Sequence, residues 1–247
     1  MKLAPVLILL LCLMGCKTQN SNQMNDSQTI LAPKTALDTF LQTATIYEVN
    51  IRQYSPEGTF AAFMPHLERL KNMGADILWL MPIHPIGKEK RKGNLGSYYS
   101  ISDYKGINPE FGSAEDFQAL VDKVHELDMK IIIDWVANHS AWDHPWMEKH
   151  PNWYTRNEQN EVVSPVEDWS DVADLNFDNS DMRDAMTDAM EFWLKEYKID
   201  GFRCDVAGMV PLDFWENTTK RLEAIKPVIM RQRQEKCERP PGLSQKG

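Results

Sequence analysis

Two short stretches carry the residue types that could do chemistry. The first, Asp134-Trp135-Val136-Ala137-Asn138-His139, closes an apolar run with three consecutive isoleucines, and it sets an acid, an amide and an imidazole at one strand end. The second reads Gly201-Phe202-Arg203-Cys204-Asp205. Strand side chains alternate between faces, so Arg203 and Asp205 share one side while Phe202 and Cys204 take the other. Charges on an interior face are costly unless paired and hydrogen-bonded. Arg203 and Asp205 therefore form either a structural ion pair or part of a working site. Taken alone, Asp134 is more often a cap for the loop that follows it.

These stretches need strands to position them, and the chain supplies an alternating pattern from Thr45 onward. Ile46 to Ile51 reads as a first strand. Phe60, Phe63, Leu67 and Leu70 then recur at helical spacing up to Gly74. Ala75 to Met81 reads as a buried second strand, and a long loop follows from Ile83 to Gly112. Ser113 with Asp116 three residues on is a capping-box signal for a helix through Leu127. Lys130 to Val136 is the third strand. After an insertion from Ser140 to Asn179, Ser180 is expected to cap a helix carrying Met182, Met186 and Trp193 inward. Gly201 to Val206 is the fourth strand, a helix opens at Pro211, and Pro227 to Met230 begins a fifth strand. Near-continuous apolar strands between amphipathic helices indicate an α/β chain with a parallel sheet. Either an open doubly wound sheet or a (β/α)8 barrel satisfies this pattern. No glycine-rich phosphate fingerprint follows the first strand, and the polar residues gather at strand ends, where barrels keep their chemistry.

The chain has 247 residues, 43% of them hydrophobic, which rules out wholesale disorder. Its net charge of −9 argues against nucleic acid as a partner. Lys2 followed by the apolar run Leu3 to Gly15 reads as a secretory signal too short to span a bilayer. The run ends Leu13-Met14-Gly15-Cys16, which resembles a bacterial lipobox. That implies a leader over residues 1–15, lipidation of Cys16 and a protein held in the bacterial cell envelope, periplasmic or cell-surface. Residues 16–38 read as a flexible tether, rich at first in Gln, Asn and Ser. Cys204 lies in an apolar strand and Cys237 in a polar tail, so no disulfide framework is expected.

Together, Asp134 to His139 and Gly201 to Asp205 resemble the first and second sequence regions of the α-amylase family, glycoside hydrolase family 13. Tyr99-Ser100-Ile101-Ser102-Asp103-Tyr104 is similar to that family's loop after the second strand, and Asp174-Leu175-Asn176 to its motif near the end of the small inserted domain. The resemblance implies a TIM barrel over residues 39–230, incomplete at about strands one to five, with an inserted domain at about 140–179. It implies a retaining glycosidase acting on α-glucosidic bonds of starch-like glucans or maltooligosaccharides, with Asp205 as nucleophile. Arg203 would orient that carboxylate, Asp134 would support Arg203, His139 would bond the sugar and Tyr99 would stack under it. Asn138 and Asp174 would hold a structural calcium ion; no organic cofactor is implied. A family transglycosylase or isomerase, or a surface glucan-binding lipoprotein without catalysis, are the alternatives.

Some stretches depart from the family. Gly208-Met209 stands where familiar amylases carry Lys-His, which bears on specificity. The run Lys88-Glu89-Lys90-Arg91-Lys92 reads as a solvated rim, and most tryptophans of the insertion read as its core. The family's general acid is a Glu at the end of the fifth strand, yet the text after Met230 is Arg231-Gln232-Arg233-Gln234-Glu235-Lys236. No aromatic residue follows Trp215. One codon choice for this tail, given a single added T, reads Met-Leu-Ala-Glu-Ala-Gly-Lys. The expectation is a frame-shifted segment over 231–247, and a chain lacking its general acid and inactive by itself.

Overall fold

The computed structural model describes residues 35–232; the leader, Cys16 and the tail from 233 lie outside the described residues. The chain begins with α1 (Ala36–Leu41), β1 (Ile46–Val49), α2 (Ile51–Tyr54), α3 (Phe60–Phe63), α4 (Leu67–Asn72) and β2 (Ile77–Leu80). It continues through α5 (Ala114–Glu126), β3 (Lys130–Trp135), β4 (His139–Ala141), α6 (Pro145–Lys149) and β5 (Val172–Asp174). It closes with α7 (Ser180–Glu196), β6 (Gly201–Cys204), α8 (Leu212–Glu223) and β7 (Ile229–Gln232).

Five strands form one parallel sheet in the order β1-β2-β3-β6-β7, and β4 pairs antiparallel with β5 in the insertion. The sheet adds each new strand beside the last without reversing. That sequential order is the barrel pattern; a doubly wound sheet reverses at a switch point. Between β6 and β7 the backbones approach so closely that a Cβ at Gly201 would meet the Ile229 carbonyl at 2.0 Å. Only glycine fits there.

Alternation divides the sheet into two faces. Leu78, Leu80, Ile131, Ile133, Trp135, Phe202 and Cys204 face the helices and join Phe63, Leu67, Phe117, Leu120, Met186 and Trp193 in the main core. Ile77, Ile132 and Ile229 face the other way, against Leu37 and Phe40 of α1. Trp79, Asp134 and Arg203 share that second face by period. The sequence pattern thus specifies which side receives the charges.

Several local expectations shift by a residue or two. The helix expected from Phe60 to Leu70 is broken by a tight turn at Met64–His66 containing Pro65, which has no N–H to donate. The box at Ser113 is present, with both Ser113 Oγ and the Asp116 carboxylate bonded to backbone N–H groups. Asn179, not Ser180, caps α7, its side chain accepting from Met182 N. A first helix starts at Ala36, inside the stretch read as tether. β7 runs on through Arg231 and Gln232, paired with Arg203 and Cys204, so the strand crosses the boundary drawn at Met230. Backbone pairing needs no particular side chain, so Arg231 and Gln232 continue the ladder.

Candidate active site

The register of β3 and β6 sets Asp134 directly opposite Arg203. Arg203 Nη1 donates to both Asp134 oxygens, at 2.9 and 3.0 Å, and to Asp205 Oδ1 at 2.7 Å. One guanidinium nitrogen therefore joins the two acids. Trp79 Nε1 donates to Asp134 Oδ2 at 3.2 Å, and the Tyr99 hydroxyl donates to the same oxygen at 3.4 Å. The Trp79 ring also lies under the Arg203 guanidinium, 4.9 Å away. Buried charges are tolerable here because each has several partners.

Electrostatics divide the roles. Burial pushes the Asp134 carboxyl up to about 7, opposed by Arg203. Burial also works against the Arg203 charge, yet Asp134 and then Asp205 hold it protonated more firmly than an ordinary arginine. Tyr99 stays a neutral phenol, raised first by burial and then by Asp134 and Asp205. Burial lowers His139 to about 4, against the pull of Asp171, so its imidazole is neutral at ordinary pH.

Tyr99, His139 and Asp205 come together on the wall of one cleft of about 520 Å³. Asp134 and Arg203 lie beneath it. The loop after β2 is pinned by Tyr104, whose hydroxyl donates to the carbonyls of Val136 and His139 at 2.9 and 2.8 Å. That bond is what carries Tyr99 to the end of β3. Asn138 and Asp174 do not line the cleft. They meet behind it, where Leu175 N donates to the Asn138 carbonyl at 3.1 Å and Asp174 pairs with His139. Asn138 Oδ1 is buried and has no hydrogen-bond partner. Among the described residues no three His, Cys, Asp or Glu side chains cluster to hold a metal. A hard cation at Asn138 and Asp174 would therefore complete its shell with backbone carbonyls and water.

Seven cleft residues escaped the sequence reading: Lys92, Gly96, Ser97, Trp169, Asp171, Val172 and Val206. The basic run is mostly exposed, as the rim reading expects, and it also clasps the insertion. Lys88 N donates to Asp143 Oδ2 at 2.8 Å, Lys90 Nζ sits 3.1 Å over the Trp142 ring, and Lys92 pairs with Asp171 at 3.3 Å. Lys92 also donates to the Asp168 carbonyl. Nothing in a charge run tells a rim from a clasp, because the acids that answer it are 55 and 79 residues away. Trp153 is buried as core, with Trp142 and Trp146 half-buried against it. Trp169 instead packs edge-on against His139, 5.5 Å between centroids, and faces the cleft.

Comparison with known proteins gives the family and the fold. The family model for the alpha amylase catalytic domain matches residues 18–238. Alpha-amylase 3 of Dictyoglomus thermophilum is 30% identical over 221 residues, covering 76% of this chain and 42% of that protein. The alpha-1,4-glucan:maltose-1-phosphate maltosyltransferase of Arcanobacterium haemolyticum is 31% identical over 193 residues, covering 70% and 28%. The solved structure of an alpha-amylase from Lactobacillus plantarum superposes with a TM-score of 0.76 at 43% identity, covering 78% of this chain and 46% of that one. This chain spans less than half the length of each of these relatives.

Proposed function

The chain belongs to the alpha-amylase family, and on that premise we propose that it carries the nucleophile side of a retaining glycosidase site for starch-like glucans or maltooligosaccharides. The supporting observation is the single Arg203 nitrogen that joins Asp134 and Asp205 beneath a cleft walled by Tyr99 and His139. In this reading an Asp205 oxygen forms a bond to the anomeric carbon while the leaving-group oxygen departs with the bonding electrons. Arg203 holds the attacking carboxylate aimed. Asp134 fixes Arg203 from the neighbouring strand. Tyr99 and the neutral His139 bind and orient the ring. In a retaining glycosidase a second carboxyl protonates the leaving-group oxygen, a step typically worth about 10²–10⁴-fold.

The test uses a substrate whose leaving group needs no proton. A 5-fluoro-α-glucosyl fluoride loses fluoride as the C1–F bond breaks and the Asp205–C1 ester forms. Peptide mass spectrometry should find the adduct on Asp205, and none in Asp205→Asn. An unlabelled wild-type chain that still binds maltooligosaccharides saturably would favour the non-catalytic binding reading. The relative named as a maltosyltransferase supports transfer as the second enzymatic reading. A trapped ester released faster by added maltose than by water would select it.

Two finer proposals accompany this one. Asn138 and Asp174 would hold calcium, which would tie the insertion to the end of β3; the buried, unpartnered Asn138 Oδ1 suits a hard cation. Calcium should then raise the thermal midpoint of the wild type and leave Asn138→Ala unchanged. Cys16 would carry the lipid that holds the protein in the envelope, so palmitate incorporation in cells should vanish in Cys16→Ala. No helix among the described residues is long and apolar enough to cross a membrane.

A further inference from the structure

Immediately after Asp205 the backbone does something costly. Val206 has φ 38° and ψ 41°, the left-handed region. Five non-glycine residues among those described have positive φ: Lys90, Asp128, Asn160, Lys198 and Val206. Only Val206 is β-branched, and for such a residue this conformation is a genuine outlier. Glycine is the ordinary solution where a chain must turn this way. Strain of this kind persists only where the surroundings over-determine it.

The surroundings do so from both sides. On one side, Asp205 N donates to the Trp135 carbonyl at 2.9 Å, which ties the first residue after β6 to the end of β3. On the other, Met209 N donates to the Val206 carbonyl at 2.8 Å, closing a tight turn over Ala207–Met209. Trp215 Nε1 grips the Ala207 carbonyl at 3.1 Å. The chain therefore reverses within the one residue between two fixed points. The Val206 side chain lines the cleft beside Asp205.

We propose that Val206 is a positioning residue for Asp205: its stiff left-handed backbone holds the carboxylate at Arg203 and at the cleft wall. The flanking hydrogen bonds, not the branch, impose the left-handed turn; glycine, without a Cβ, opens further conformations to that residue and lets the carboxylate wander. This rests on Asp205 being the nucleophile, as proposed above.

The experiment follows Asp205 labelling by 5-fluoro-α-glucosyl fluoride in the full chain alongside thermal unfolding. In Val206→Gly the saturating labelling rate should fall about tenfold or more, since small misplacements near a reacting centre are costly, while the half-saturating concentration stays within about threefold by the same argument. Its thermal midpoint should hold or rise, because released strain offsets the entropy glycine loses on folding. Val206→Ile, which keeps the branch, should retain more of the labelling rate than Val206→Gly. Labelling and midpoint falling together in Val206→Gly would make Val206 an ordinary packing residue and overturn the proposal. So would a Val206→Gly chain that labels at the full rate. A wild-type chain that does not label overturns the glycosidase reading, and the role of Val206 falls with it.

Discussion

Asp134 and Arg203 stand opposite each other on adjacent parallel strands, joined by two hydrogen bonds of 2.9 and 3.0 Å from one guanidinium nitrogen. Asp134 is fully buried and Arg203 nearly so. The pair holds Asp205 in place through the same nitrogen, so its removal acts on both fold and site.

Breaking the pair from one side leaves a buried charge without its partner. Arg203→Met should therefore destabilise the chain by about 3–5 kcal/mol in urea unfolding. The double variant Arg203→Met with Asp134→Leu should recover much of that loss, because it strands neither charge. A single variant within about 1 kcal/mol of wild type would show that the ion pair is not desolvated as described.

His84 gives stability a pH dependence. The ring is wholly buried among Tyr104, Trp135 and Trp193, with Nδ1 facing the Gly106 carbonyl at 3.2 Å and Nε2 without a partner. Burial lowers it to about 4, against about 6.5 in the unfolded chain. A lowered folded value means the stabilisation is complete above 6.5 and drains away as pH falls from 6.5 toward 4. The drop is worth on the order of 3 kcal/mol. Urea unfolding across that window should show the slope, and His84→Phe should reduce it without abolishing it, because burial lowers His139 and His144 in the same way. An unchanged slope in His84→Phe would assign the acid sensitivity to other groups.

Lys92 bridges the loop after β2 and the insertion through a half-exposed pair with Asp171. Exposed pairs contribute little to global stability, so Lys92→Met should cost less than about 1 kcal/mol. Its effect should be local: faster amide exchange over residues 166–172 and weaker binding of maltooligosaccharide, with Lys92→Arg close to wild type. Unaltered exchange in that segment would return the basic run to the role of a solvated rim.

The Ser113–Asp116 box satisfies backbone groups at the start of α5 from both directions. Ser113→Ala should cost about 1 kcal/mol in thermal or urea unfolding. Asp116→Ala in the same background should add less than it costs alone, because the two side chains serve one helix end.

Much of the fold is written in local pattern. Alternation in the run from Gly201 put Arg203 and Asp205 on one face, and the same period put Phe202 and Cys204 into the core. Ser113 announced its helix because capping needs only nearby residues. Asp134, Arg203, Asp205, Tyr99 and His139 were legible because each stands at a strand end or in a loop whose text has family character.

Tertiary structure decided what depends on residues distant in the chain. Strand order chose the barrel pattern over the doubly wound sheet, since hydrophobic period says nothing about which strand lies beside which. The clasp of Lys88, Lys90 and Lys92 on Asp143, Trp142 and Asp171 exists only where folding brings loop and insertion together. Trp169 left the core for the cleft for the same reason. Val206 shows the limit most clearly: its identity gives no hint of a left-handed backbone, because two anchors, the Trp135 carbonyl and the Trp215 indole, impose that conformation from outside its own sequence neighbourhood.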